Sequence, residues 1–307
     1  MAEGTELWPD DLTAYLAADG YVDDVLAEIG VAPLAQYGRL VLVQGPAHPV
    51  AWAQNIWHAP RPIAIASIAE GARALRAIQR NWALYAFQLH RRAHLIEASL
   101  PIFRPKAIRF PSALPTAPVG SWTLLDATTI LAAARCSSPF RHGEVEFIED
   151  KHAPPNRAYL KLWELFTLLQ IRPAAGELCL DLGASPGGWS WVLHECGARV
   201  IALDKAPLDP RIARLPRMSV RKESAFALAP DAIGPLDWFF SDIVCYPTRL
   251  LELVRRWLAA GTVRRFVCTL KFQGATDHAT AREFAAIPGS RLLHLHHNKH
   301  ELTWVRL

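Results

Sequence analysis

Residues 177–189 read Glu-Leu-Cys-Leu-Asp-Leu-Gly-Ala-Ser-Pro-Gly-Gly-Trp, and this segment narrows the possible folds more than any other. The apolar run Leu178–Leu182 is predicted to be a buried strand. It ends at Gly183, and glycines recur at Gly187 and Gly188. A helical pattern follows, with Trp189, Val192, Leu193 and Cys196 apolar. Strand, glycine turn and helix in succession let a ligand approach bare backbone at a helix N-terminus. A second apolar run, Val200–Leu203, ends in Asp204, 21 residues after Gly183. An acid at that distance is where a nucleotide-binding βαβ unit holds a ribose. The competing explanation is a glycine turn that serves packing alone.

The same stretch matches Gly-x-Ser-x-Gly, through Gly183, Ser185 and Gly187. A nucleophile elbow of that form uses the N–H after the serine as an oxyanion donor. Here that residue is Pro186, which has no N–H. A ligand-binding loop tolerates the loss, and an oxyanion hole does not.

The 307 residues suffice for one large or two ordinary domains. With 51% hydrophobic and 20% charged residues, the composition is that of a globular chain. No apolar stretch reaches the roughly 18–20 residues that a bilayer crossing needs. The acidic start, Met1-Ala-Glu-Gly-Thr-Glu6, lacks a signal-peptide core. Five dispersed cysteines, Cys136, Cys179, Cys196, Cys245 and Cys268, are read as small buried residues of a reducing cytoplasm. The net charge of +4 is mild, but Arg and Lys cluster at 90–92, 104–109, 211–222, 255–256 and 264–265. Such clusters suit a polyanionic partner, although any one alone is an ordinary solvated face.

The second half alternates β and α patterns. Asn156 is expected to cap a helix over 157–170 with core positions Leu162, Leu165, Phe166 and Leu169. Strands are predicted at 178–182, 199–203, 218–221, 237–242 and 265–271. Helices are predicted at 247–260 and 278–287, and a closing pair of strands at 291–297 and 301–307. This pattern gives an α/β fold with a mainly parallel, doubly wound sheet. The first half shows helices at 22–29 and 68–78, strands near 40–43, 63–66 and 84–89, and a proline-rich connector over 101–119. The reading is a smaller α/β module over 1–147 and a larger domain over 148–307.

Ligands of open parallel sheets bind at the carboxyl ends of the strands. Asp242 and Lys271 each close a predicted strand there. Glu301 opens the last strand, which shares that edge if it runs antiparallel. Lys161 lies on the preceding helix, with Arg157 one turn earlier. Two lysines and two acids can therefore meet beside the glycine turn.

Asn156-Arg-Ala-Tyr-Leu-Lys161-Leu, the Asp181–Trp189 loop, Ser241-Asp242, Leu270-Lys271 and Glu301 together resemble the FtsJ-type ribose 2′-O-methyltransferases with their Lys-Asp-Lys-Glu tetrad. The chain most resembles the two-domain RlmM-like enzymes, which methylate a cytidine ribose in large-subunit (23S) ribosomal RNA. Ser138-Pro-Phe-Arg-His-Gly143 and Trp257-Leu-Ala-Ala-Gly261 are further cues. The resemblance covers about 150–307, and two departures are Asn156 for the usual Ser and Glu223 for the usual Asp. It implies a Rossmann-like class I S-adenosylmethionine-dependent methyltransferase fold with a smaller ferredoxin-like or THUMP-like N-terminal module. It implies S-adenosyl-L-methionine as cofactor, held by Asp181, Gly183, Ser185, Pro186, Gly187, Gly188, Trp189, Asp204, Glu223 and Asp242. It implies Lys161, Asp242, Lys271 and Glu301 as catalytic residues. Arg157 is the candidate phosphate contact, ribosomal RNA the partner, and a cytoplasmic monomer without membrane or metal the expected form.

The physical logic runs the same way. A ribose hydroxyl is a poor nucleophile until its proton leaves, so methyl transfer needs alignment and a base. A lysine serves as base when burial or a second cation lowers its affinity for the proton. His294, His296, His297 and His300 also invite a metal reading, but no Cys or unassigned acid completes a ligand set. Two other classes remain to be distinguished: a catalytically silent RNA-binding protein on the same fold, and a nicotinamide-dependent oxidoreductase.

Overall fold

A computed structural model describes Pro9 and residues 11–307, so the acidic start at 1–6 lies outside the described residues. The chain forms two compact units. One runs to Ile108 and resumes over Leu114–Glu146; the other comprises Arg109–Ala113 and Phe147–Leu307.

The first unit holds two sheets. In the five-stranded sheet the order is Ala35–Tyr37, Leu40–Gln44, Leu12–Ala17, Ala53–His58 and Arg135–Cys136, with every pair antiparallel. The four-stranded sheet runs Arg61–Ala64, Thr129–Ala133, Gly120–Leu124, Trp82–Leu84. A ferredoxin-like module is a single β-α-β-β-α-β sheet. Here the chain builds a second sheet, and 45–52 joins two strands without a helix. Helix Ile68–Ile78 starts on two side-chain acceptors: Ser67 Oγ accepts from Glu70 N, and Glu70 Oε2 accepts from Ala66 N. The segment expected as a strand over 84–89 is strand only to Leu84, and His90–Ala98 is a helix that the sequence pattern does not announce.

The second unit carries, in order, α1 (Tyr159–Leu169), β1 (Leu178–Leu182), α2 (Gly188–Glu195), β2 (Arg199–Leu203), α3 (Pro210–Ala213) and β3 (Met218–Arg221). There follow β4 (Leu236–Ser241), α4 (Pro247–Ala260), β5 (Val263–Lys271), α5 (His278–Ala285), β6 (Ser290–Leu293) and β7 (Glu301–Arg306). The sheet order is β3-β2-β1-β4-β5-β7-β6. The first five strands are mutually parallel; β7 is antiparallel to β5, and β6 to β7. The order reverses between β1 and β4, which opens the crevice where such sheets take ligands.

Apolar strands and one-sided helices produce this sheet. Phe239 and Phe266 are fully buried and pack 5.3 Å apart, with Trp257 of α4 at 5.2 Å from Phe239. Burying each such ring contributes roughly 1.5–3 kcal/mol. Gly261, at φ 65°, ends α4 with its N–H on the Leu258 carbonyl. Phe110, from the proline-rich stretch, stacks on Trp163 of α1 at 5.2 Å and 11°. The expected bounds of β1, β2, β3 and α4 are the observed ones. Six others differ: β4 is Leu236–Ser241, β5 starts at Val263, α5 ends at Ala285, β7 ends at Arg306, and α1 and β6 depart as follows. Helix α1 starts at Tyr159, because Asn156 Oδ1 accepts the Ala158 N–H in a tight turn before it. The strand expected over 291–297 stops at Leu293, and residues 294–300 form a turn.

Candidate active site

Four elements bring the charged cluster together. Asp242 follows β4 directly, and its N–H is held by the Leu182 carbonyl at 3.2 Å. Lys271 ends β5 opposite Glu301, the first residue of antiparallel β7. Lys161 enters from the first turn of α1. Its Nζ lies 3.0 and 3.2 Å from the two Asp242 oxygens and 2.9 Å from Glu301 Oε1. Lys271 Nζ lies 2.9 Å from Asp242 Oδ1 and donates to the Asp242 carbonyl at 2.6 Å. Thr269, two residues before Lys271 and on the same strand face, donates to Asp242 Oδ1 at 2.7 Å. Trp189 closes one side, its ring centroid 5.9 Å from Lys161 Nζ.

The electrostatics follow from this packing. Burial pushes the Asp242 carboxyl up, but the ammonium groups of Lys161 and Lys271 outweigh it and hold it below the usual range. Burial pulls Lys161 down, but Asp242 and Glu301 outweigh it, and its affinity for the proton is raised. Lys161 is thus a fixed cation clamped by two acids.

Beside the cluster is a cavity of about 530 Å³, in the range of small-ligand sites. Its lining includes Gly183, Ser185, Asp204, Glu223, Asp242 and Lys271. Gly183 sits at φ +76°, where a Cβ would lie 2.9 Å from Ile243 Cα. Only glycine fits this conformation and this approach. The loop is braced from β2: Asp204 Oδ2 accepts from Ser185 N at 3.0 Å, and Ser185 Oγ donates to Pro207 O at 2.8 Å.

Other expected cofactor contacts take different places. Asp181 is 1% exposed and accepts from Ser190 Oγ at 2.6 Å; burial raises its carboxyl to about 7 against that hydrogen bond. It faces the interior and does not line the cavity, because side chains alternate along the strand and Asp181 is not its last residue. Pro186, Gly187, Gly188 and Trp189 do not line it either. A Cβ on Gly187 would meet Ile212 at 2.8 Å, and one on Gly188 would collide with Asn156 Oδ1, so both glycines are closely packed. Trp189 is buried and donates to Ala158 O at 3.1 Å. Arg157 precedes the first helical residue, so a one-turn spacing does not place it on the face of Lys161. It is 74% exposed and pairs with Glu149 at 2.7 Å.

The sequence reading missed several neighbours. Asn156, read as a cap and as a departure from the family's usual Ser, lines the cavity, as do Lys205, Phe226, Ile243, Val244 and Arg249. Arg249 lies over the Phe226 ring at 3.8 Å. Thr269 was within reach of a period-two argument from Lys271; no local signal marked Phe226 or Arg249. All five cysteines are free. Among the described residues, no group of three or more His, Cys, Asp or Glu side chains is placed to hold a metal ion, and no helix is long and apolar enough to cross a membrane.

Comparison with known proteins finds one family match that falls within this second unit. The FtsJ-like methyltransferase family matches residues 154–263. Ribosomal RNA large subunit methyltransferase M of Halorhodospira halophila is 34% identical over 157 residues, 48% of this chain and 46% of that protein. The protein of that name from Aromatoleum aromaticum is 33% identical over 164 residues, 48% of this chain and 44% of the relative. That of Alkalilimnicola ehrlichii is 32% identical over 188 residues, 56% and 51% of the two chains. The chain spans about half the length of the curated relatives it matches. The glycine turn and strands β1 to β4 lie within the 154–263 stretch that is similar to the FtsJ-like methyltransferase family.

Proposed function

We propose that this protein is an S-adenosylmethionine-dependent ribose 2′-O-methyltransferase acting on large-subunit ribosomal RNA. The observation that carries the reading is the cluster Lys161–Asp242–Lys271–Glu301 at the wall of a cavity that Lys271, but not Lys161, lines. The relatives' names supply the RNA class.

The cavity suits the cofactor by its donors and its shape. Gly183 leaves backbone bare where a side chain would collide with Ile243. Asp204 accepts one backbone N–H on each oxygen, which leaves lone pairs for two ribose hydroxyls. Glu223 also lines the cavity and is the residue this reading assigns to the adenine. When bound, S-adenosylmethionine supplies an electrophilic methyl group on a sulfonium.

The protein's own residues then have separate tasks. Lys161 stays charged between Asp242 and Glu301 and fixes both acids. Asp242 takes hydrogen bonds from Lys161, Thr269 and Lys271, and so aims the Lys271 amine. After giving up its own proton to solvent, Lys271 Nζ accepts the proton of the 2′-hydroxyl as the oxygen becomes the nucleophile. Arg157, exposed and paired only at its Glu149 side, offers a guanidinium to an RNA phosphate. The first unit's basic residues, including Arg91 and Arg92, are a second RNA contact in this reading.

The test is methyl transfer from labelled S-adenosylmethionine to large-subunit ribosomal RNA, followed by alkaline hydrolysis. Label retained in alkali-resistant dinucleotides places the methyl on a ribose 2′-oxygen. A protein that binds S-adenosylmethionine and transfers nothing is the silent RNA binder, and one that binds NADH in its place is the oxidoreductase.

A further inference from the structure

The histidine-rich turn between β6 and β7 has a partner on α1. Glu164 is 1% exposed. Its Oε1 accepts the His296 N–H at 2.7 Å, and its Oε2 accepts the His297 N–H at 3.0 Å and approaches His297 Nδ1 at 2.6 Å. A buried carboxylate costs several kcal/mol unless its lone pairs are filled, and here three donors from one turn fill them. On its far side the turn is tied to β7. Asn298 Nδ2 donates to Glu301 O at 3.2 Å and to Thr303 Oγ1 at 3.1 Å.

Glu164 stands three residues after Lys161, on the same helix face. The helix therefore grips one segment at two points. Glu164 holds the backbone of 296–297, and Lys161 holds the Glu301 carboxylate at 2.9 Å. Because β7 begins at Glu301, the position of the turn sets where that carboxylate lies.

We infer that Glu164 is a positioning residue for methyl transfer: it fixes the β6–β7 turn so that Glu301 meets Lys161 and the Lys161–Asp242–Lys271 array keeps its spacing. It touches neither the cavity nor a reacting atom. The kinetic part rests on the methyltransferase reading; the geometric part does not.

Glu164→Gln replaces an acceptor by an amide whose N–H₂ faces donors. A misplacement near 1 Å costs up to about 10²-fold. The kcat should therefore fall at least about tenfold, with S-adenosylmethionine Kd changed less than about twofold. In a Glu301→Gln background the same substitution should change kcat less than about twofold, since the group it acts through is gone. His297→Ala removes only the ring contact and should give a smaller fall in the same sense, which keeps the test open if Glu164→Gln does not fold. A crystal structure of Glu164→Gln, or of His297→Ala in that event, decides the geometry without turnover. The Glu301 carboxylate should have left Lys161 Nζ, beyond the roughly 4 Å of an ion pair. A contact retained near its present distance, equal falls in both backgrounds, or no fall at all overturns the inference. A displaced Glu301 in a wild-type enzyme that transfers no methyl group overturns the functional reading and leaves the positioning intact.

Discussion

Asp181→Asn should uncouple a stability effect from cofactor binding. The wild-type carboxyl is buried and accepts from Ser190 through one oxygen, while Oδ1 has no partner among the described residues. Burial raises it from 3.8 to about 7. In the unfolded chain the carboxyl ionises near 3.8, whereas in the folded protein it keeps its proton until about pH 7. Its contribution to stability is therefore fully present below pH 3.8 and is lost as pH rises through about 7. A gap of about three pKa units at ~1.4 kcal/mol each makes the loss roughly 4 kcal/mol. Asparagine keeps an oxygen for Ser190 and cannot ionise. Relative to wild type, the variant should gain stability steadily between about pH 4 and pH 7, with no further gain above that range. Urea unfolding across that range, followed by tryptophan fluorescence, measures the difference. A difference independent of pH would refute the buried, neutral carboxyl. Calorimetry on the same variant should give an S-adenosylmethionine affinity within about twofold of wild type, and a larger loss would return Asp181 to the cofactor.

The other expectations are briefer. Asp204→Ala removes both the brace on Ser185 and a ribose acceptor, so S-adenosylmethionine binding should weaken by about 1.5–3 kcal/mol; unchanged affinity by calorimetry would displace the proposed ribose contact. Lys161→Met leaves Asp242 and Glu301 buried without their shared cation and should cost about 3–5 kcal/mol near pH 7, read by urea unfolding. Asp242, held below its usual value, contributes stability that is present above pH 3.8 and lost as pH falls through its lower folded value. The Lys161 variant, with Lys271 and Thr269 still facing Asp242, should show a smaller acid-side loss. Arg157→Ala should lower the salt slope of RNA binding by roughly 0.7–0.9, and identical slopes would remove it from the interface.

The second unit was legible because its signals are local and redundant. Strands such as β1 are short apolar runs bounded by glycine or charge, and α4 has one apolar face and a glycine stop. Their order then places Asp242, Lys271 and Glu301 at one edge without any knowledge of packing. The first unit is harder for physical reasons. Leu12–Ala17 is buried at every position, so it lacks the alternation that marks a strand, and its Leu and Ala suit a helix equally well. His90–Ala98 starts after Leu89 at φ 51°, with no side-chain cap and a weakly apolar face, so it has no start signal. Within the site, spacing identified the charged tetrad but not its supports. Glu164 and Thr269 matter through partners 132 and 27 residues away in sequence, His296 and Asp242. Asp181, Gly187, Gly188 and Trp189 share the motif with Gly183, yet the fold turns them toward packing.

The central claim is that Lys271 accepts the proton of a ribose hydroxyl. Single-turnover methyl transfer to large-subunit ribosomal RNA, with S-adenosylmethionine affinity measured in parallel, tests it on wild type and Lys271→Arg. Arginine keeps the positive charge facing Asp242 but cannot give up its proton at workable pH. The account predicts 2′-O-methylated nucleoside from wild type, almost none from Lys271→Arg, and similar cofactor affinity in both. Substantial turnover by the arginine variant, or methyl groups found on bases and not on ribose, would contradict it.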